Sequence, residues 1–321
     1  MRSLRSILVT GGAGFIGSTL VRKLLEREDL EKLTILDKLT YAGNRRNLIG
    51  PDRDPRLELI EGDLLDRSLL DEILTNTPYT GILNLAAETH VDRSIDCPQP
   101  FINTNIEGVA TLLDAARHHQ VALLQCSTDE VYGRTPAHQR FDEFARLNPS
   151  SPYAASKASA DLLVQAAFKT HHQEVIITRF SNNYGPRQHR EKLIPKLIYQ
   201  ALRDLPLPIY GSGQQIRDWM HVDDCCLGII AAFEKGPAGR IFNLGAKSEH
   251  TNLGIARGVL KILKKPEKLI THVEDRLGHD DRYALDPRQA LRVLQWRARI
   301  PFRSGFEATV RELAAELRPE E

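Results

Sequence analysis

Tyr153 and Lys157, in the run YAASK, stand four residues apart in a helix-patterned stretch that follows Pro152. On a helix, positions four apart share a face. An ammonium near a phenol, together with a nicotinamide cation, lowers the phenol pKa and lets the phenolate act as a base. The same spacing also suits a solvated lysine beside a half-buried tyrosine, so the pair needs context. A second constellation, Ser127-Thr128-Asp129-Glu130-Val131-Tyr132-Gly133, sits at the end of an apolar run. Neighbouring carboxylates repel, which raises one pKa and can split a general acid from a general base. An acidic loop or a helix cap would use the same residues without chemistry. A third is TGGAGFIG, in which Gly11, Gly14 and Gly17 space a tight turn before a helical run. Such glycines let backbone approach a pyrophosphate, and the helix N-terminus offers free N–H groups to the anion. Asp37, about twenty residues on, can accept the adenosine ribose hydroxyls and would repel a 2′-phosphate, which favours NAD over NADP.

The elements that must hold these residues alternate. Ile7–Thr10, Leu33–Asp37, Leu57–Glu61, Gly81–Ala86, Ala122–Ser127 and Val175–Arg179 read as short apolar strands. Phe15–Glu28, Ser68–Thr75, Phe101–His119 and Pro152–His171 carry helical periodicity. This predicts an α/β fold of the Rossmann type: a doubly wound parallel sheet, helices on both faces, ligands outside the C-terminal ends of its strands. Asp129 and Glu130 would lie at such an end. From about Asn183 the elements shorten and Pro206, Pro208, Gly211 and Gly213 punctuate the chain. We expect an NAD-binding domain over 1–182, joined by about 219–243, where Asp223–Glu234 reads as a helix. A smaller, interrupted, mixed α/β substrate domain should cover 183–321. Asp63, beyond the third strand, suits either the adenine or a helix cap.

The composition excludes little but agrees. Lys and Arg total 43 against 42 Asp and Glu, so no basic excess points to nucleic acid. No apolar run is long enough for a membrane span, and no apolar leader precedes the first strand. Four cysteines without a C-x-x-C pair fit a reduced, cytoplasmic compartment. His90 and His221 lack the clustered spacing of a metal site, and polar packing is the expected role.

Taken together, the motifs resemble those of the dTDP-glucose 4,6-dehydratases, within the extended short-chain dehydrogenase/reductase family. The matching segments run through nearly the whole chain: Thr10–Ser18, DKLTYAGN from Asp37, NLAAETHVDRS from Asn84, Ser127–Gly133, Ser151–Lys157, SNNYGP from Ser181, EKLIP from Glu191, IRDW from Ile216 and Asp275–Tyr283. The Thr128-Asp129-Glu130 run is the most diagnostic, because most relatives in the wider family, such as epimerases and decarboxylases, lack the acid pair.

That resemblance implies roles. Tyr153 would take the 4-hydroxyl proton, Lys157 would hold the nicotinamide ribose, and Thr128 would bind the 4-oxygen. Glu130 would remove the C5 proton and Asp129 would donate to the leaving 6-hydroxyl. Besides Gly11, Gly14 and Gly17, the implied cofactor contacts are Phe15, Ile16, Asp37, Lys38, Leu39, Thr40, Asp63, Leu64, Ala86, Ala87, Thr104 and Asn183, with Tyr153 and Lys157. The implied nucleotide-sugar contacts are Thr89, Asn182, Lys192, Leu193, Pro208, Ile209, Tyr210, Arg217, Asn252, Arg276 and His279, with Thr128. Arg217 suits a diphosphate by its planar, permanently charged fork, although a salt bridge to Asp218 would suit it too. A homodimer through Phe101–His119 and Tyr153–Lys169 is also implied. Two places depart from the pattern: Gln188-His189-Arg190, where an aromatic residue and a proline are usual, and the polar end Arg311–Glu321. Readings left open are a dehydratase for a UDP-, CDP- or GDP-sugar, a 4-epimerase, and a non-catalytic nucleotide-binding protein.

Overall fold

The structure, a computed structural model, describes residues 1–318. Five apolar strands come first: β1 Ser6–Thr10, β2 Lys32–Asp37, β3 Leu57–Glu61, β4 Gly81–Asn84 and β5 Leu123–Thr128. β6 Val175–Phe180 completes the run, and all join one parallel sheet in the order β3-β2-β1-β4-β5-β6. Residues 241–244 add a seventh parallel strand beside β6. Most strand positions are buried on both faces, which explains their unbroken Val/Ile/Leu character. Flanking helices are α1 Phe15–Leu25, α2 Arg67–Asn76, α3 Val91–Asp96, α4 Gln99–Ile102, α5 Gly108–His118 and α6 Pro152–His171.

One helix differs from its expected form. Phe101–His119 is not a single α-helix: a π-turn over Asn103–Glu107 separates α4 from α5. The cause is Asn105, which turns inward. Its side chain bridges the Glu88 backbone and the Ser156 hydroxyl. The widened turn also presents Thr104 to the large cavity. Such π-bulges gather at functional sites.

The rest of the chain covers the C-terminal strand ends. β7 Asn182–Tyr184, β8 Leu207–Tyr210, β9 Ile216–His221, β10 Ile241–Leu244 (the seventh strand above), β11 Glu249–Thr251 and β12 Ile270–Val273 follow. They form a three-stranded sheet, β11-β9-β7, and a two-stranded sheet, β12-β8. α7 Leu193–Leu202, α9 Asn252–Leu263 and α10 Phe302–Glu316 share a core around Leu197, Ile198, Val259 and Val310. α8 Val222–Lys235 leaves this region and packs through Ile229 and Phe233 into the core of the large sheet. The last residues of the polar C-terminal end, 319–321, lie outside the described residues.

Candidate active site

A cavity of about 1050 Å³ runs from the β1–α1 turn to the small sheets. At one end the chain turns tightly at Gly11, whose φ is +69°. A Cβ there would meet the Ala86 nitrogen at 2.6 Å, and one at Gly17 would meet the Gly11 carbonyl oxygen at 2.1 Å. Gly14, the N-cap of α1, has no side chain over the helix end. The result is a bare cradle at a helix N-terminus, shaped for a pyrophosphate.

Asp37, at the end of β2, accepts the Ala13 and Leu39 backbone N–H groups, each at 2.8 Å. Burial raises its pKa, and those two bonds hold it down. Leu39 is the one expected cofactor residue that does not line the cavity. Its side chain packs on the core, and its backbone, at φ +51°, serves Asp37 instead. Asp63 lines the cavity and pairs with Lys38 at 2.6 Å; the cap of α2 is Asp66.

β5 ends at Thr128, and Asp129–Tyr132 form a 3₁₀ turn over the strand end. Thr128 Oγ1 accepts from the Glu130 N–H and lies 3.2 Å from Asp129 Oδ1, to which it donates. Asp129 is 3% exposed, and its Oδ2 has no partner. Burial, reinforced by Glu130, pushes its pKa up to about 8. Burial also raises Glu130, but Arg276, Arg217 and Lys192 face it and oppose the shift. Both adjacent acids are thus raised by burial; Arg217 opposes the shift at each, and Glu130 also faces Arg276 and Lys192.

α6 brings Tyr153 and Lys157 to the same wall. Ser151 caps the helix by accepting from the Ala154 N–H, and the Tyr153 N–H donates to the Ser94 hydroxyl on α3. The lysine reaches back to β5. Its Nζ donates to the Cys126 carbonyl at 2.7 Å, and burial lowers its pKa. Burial, then Glu130, hold the Tyr153 phenol well above its ordinary value, while the Thr128 hydroxyl works against them. Lys157 alone therefore does not make Tyr153 acidic in the protein by itself.

The residues expected to contact the substrate gather at the far end. Thr89, Asn182, Lys192, Leu193, Pro208, Ile209, Tyr210, Arg217, Asn252, Arg276 and His279 all line the cavity. Arg217 lies over the Tyr283 ring at 4.2 Å and donates to the Ile216 and Asp280 carbonyls. It makes no salt bridge with Asp218, which instead accepts the Lys247 and Ser248 N–H groups. His90 and His221 are N-caps of α3 and α8. Sequence reasoning did not single out Tyr41, Glu88, Arg93 or Glu191. Arg93 lies 4.0 Å over the Tyr41 ring and 3.3 Å from Glu191, whose carboxylate oxygens have no hydrogen-bond partner. All four lie inside matched segments, without a recognisable spacing of their own. The divergent Gln188, His189 and Arg190 line this end too.

This fold and constellation define an extended short-chain dehydrogenase/reductase with an additional acid pair. Residues 8–309 match the family described as GDP-mannose 4,6 dehydratase, and the chain belongs to that family. It is 45% identical to the low-salt glycan biosynthesis protein Agl12 of Haloferax volcanii, over 95% of this chain and 97% of that one. It is 44% identical to a dTDP-glucose 4,6-dehydratase of Actinoplanes sp., over 95% and 96%. Among solved structures, DesIV, a dTDP-glucose 4,6-dehydratase from Streptomyces venezuelae with NAD bound, superposes with a TM-score of 0.93 at 43% identity, covering 97% of each chain. A UDP-glucuronic acid 4-epimerase from Bacillus cereus reaches 0.91, but at 30% identity.

Proposed function

We propose that this chain is a dTDP-glucose 4,6-dehydratase that keeps its NAD through each turnover. The observation that carries this reading is the acid pair, Asp129 buried and Glu130 partly exposed on the cavity wall. An epimerase has no use for a carboxyl held neutral at Asp129 beside Glu130 facing cations. The glycine cradle, Asp37 and the wall formed by Ala86, Ala87, Thr104 and Asn183 fit the cofactor. A bound NAD would supply the hydride chemistry, as acceptor at C4 of the sugar and donor at C6.

The protein's own residues do the rest. Tyr153 takes the proton of the 4-hydroxyl, and Thr128 holds that oxygen. The resulting 4-ketone acidifies the C5 proton, because the carbanion left behind delocalises as an enolate. Glu130 removes that proton, and Asp129 gives its own to the departing 6-hydroxyl, which leaves as water. The carboxyl pushed up to about 8 suits the donor and the cation-facing one the acceptor. Arg217 and Arg276 offer permanent charge to the diphosphate.

The test is mass spectrometry of dTDP-glucose incubated with purified protein in heavy water without added NAD. Loss of one water with one deuteron gained at C5 is the expected result. No conversion, even with added NAD, rejects this substrate; GDP-, UDP- and CDP-sugars are then the next arms. A homodimer through α4, α5 and α6 also belongs to this reading, since Ile102 and Leu162 expose apolar side chains on those helices. A monomer by light scattering at micromolar concentration would remove it.

A further inference from the structure

Behind the acid turn lies a charged group that no step above uses. Arg179 on β6 and Asp161 on α6 form an ion pair at 2.8 Å, with side chains 2% and 0% exposed. A second guanidinium nitrogen of Arg179 donates to the Tyr132 hydroxyl at 2.7 Å. Tyr132 in turn donates to Asn243 Oδ1 on β10 at 2.9 Å. The guanidinium also lies over the Tyr132 ring, 4.7 Å from its centre. Asp161 Oδ1 has no partner at all. Taking such a pair out of water costs more than its attraction returns unless the surrounding hydrogen bonds are complete, and apolar residues of similar volume would fill the space at least as well. Stability alone therefore does not account for it.

Where the two arms end does account for it. Tyr132 closes the turn that carries Asp129 and Glu130. Asp161 stands one helical turn beyond Lys157 and two beyond Tyr153, on the same face of α6. Ala158, next to Lys157, packs with Val131 and Tyr132 in a small apolar cluster. Among the groups facing Lys157, Asp161 opposes the effect of burial most strongly. Elimination needs the acids to meet C5 and the 6-oxygen of a sugar whose C4 oxygen is shared between Thr128, at the start of the acid turn, and Tyr153, on α6. A slip of about 1 Å between the two can cost about 10²-fold.

We propose that Arg179 is a positioning residue that locks the acid turn to the tyrosine–lysine helix, with Tyr132 and Asp161 as its two arms. This rests on the dehydratase reading above. Tyr132→Phe cuts one arm and keeps the ion pair, so the variant should fold. With holoenzyme and dTDP-glucose in single turnover, C4 oxidation should stay within about twofold while water loss slows about tenfold, so that 4-keto-glucose accumulates. Arg179→Met should do the same more severely, and Arg179→Lys should lie between it and the native protein. Tyr132→Phe with an unchanged ratio of the two steps, or with both slowed alike, would overturn the proposal. Hydrogen exchange needs no substrate: in Tyr132→Phe it should quicken in 129–133 and 152–158 and stay unchanged in β1 and β2. Uniform quickening, or none, counts against the lock. If the native protein fails to dehydrate dTDP-glucose, the functional reading falls; if it dehydrates and the ratio holds in Tyr132→Phe, only the lock falls.

Discussion

At the cofactor end of the cavity, Asp37 already has two backbone N–H groups on its carboxylate, and the turn beside it is fixed by glycines packed against backbone. At the substrate end, charged and polar groups are held by one another across the cleft. The Tyr210 hydroxyl donates to Asp92 at 3.1 Å, Arg276 approaches the same carboxylate at 3.4 Å, and Lys192 donates to the Thr89 carbonyl at 2.7 Å. Asn182 Oδ1, Arg276 Nε and both Glu191 oxygens are buried with no hydrogen-bond partner. One end is organised by its own backbone before any ligand arrives. At the other, side chains partner one another or the Thr89 carbonyl, and in the proposed reading a ligand takes over those partners' places. The reacting residues lie between these ends and share features of both: Thr128 and Lys157 are hydrogen-bonded in place, whereas Asp129 keeps a free oxygen.

The largest effect tests the middle. Tyr153→Phe should abolish the first oxidation by about 10²- to 10⁴-fold, the range of a lost general base. Rapid-mixing absorbance of the reduced cofactor reads it directly, and near-normal turnover would take Tyr153 out of the mechanism. Next comes Asp129→Asn, which should spare oxidation but slow water loss by about 10²-fold, seen as trapped 4-keto-glucose. The native elimination step should fall as pH rises past about 8, where Asp129 loses its proton. The same shift has a stability consequence. The folded-state pKa lies above the ordinary carboxylate range, so between that range and about 8 the folded form holds a proton that the unfolded chain has released. Stability is therefore lost as pH rises through this window. Asp129→Asn should raise the thermal midpoint near pH 8 and change it little near pH 4; the opposite order would mean that Asp129 is ionised in the folded protein.

The cofactor end predicts a smaller change of a different kind. Asp37→Asn keeps one of the two backbone acceptors, sets its NH2 against the other N–H, and removes the charge that would hold the ribose hydroxyls. Retained NAD should fall, with affinity weakened about 10- to 100-fold, matching ~1.5–3 kcal/mol for a hydrogen bond to a charged group. Dialysis followed by quantification of bound NAD measures it. Activity at saturating NAD should recover, because nothing at Thr128–Glu130 moves.

The contrast between the two ends also explains what the sequence made legible. Gly11, Gly14, Gly17 and Asp37 act through local backbone within a single β-α-β stretch, so their spacing already carried their purpose. The strands of the large sheet were legible for a related reason: burial on both faces leaves continuous apolar runs. Arg276, Arg217 and Lys192 come from three separate segments and meet only through tertiary packing, so resemblance alone placed them together. The break after Ile102 was hidden because a π-turn keeps an apolar pattern close to helical; only the partners of Asn105, far away in sequence, reveal it. The charge of Arg179 was invisible for the opposite reason, since it sits in a strand otherwise composed like a core strand.

The smallest prediction bears most directly on the difference between the ends. If Asp92 stands in for an anionic ligand at Tyr210 and Arg276, removing its charge should help that ligand bind. Its side chain is 36% exposed, so solvent screens the pair and the gain is modest. Asp92→Asn should tighten the binding of dTDP by at most about fivefold, corresponding to ~1 kcal/mol for a half-exposed ion pair. NAD retention should be untouched. Titration calorimetry at low and high salt separates the outcomes, because a charge effect shrinks with ionic strength. Tighter binding that fades with salt marks Asp92 as a competitor for the diphosphate. Weaker binding at both salt concentrations would instead make Asp92 part of the frame that holds Tyr210 and Arg276, and the substrate end would then be as preorganised as the cofactor end.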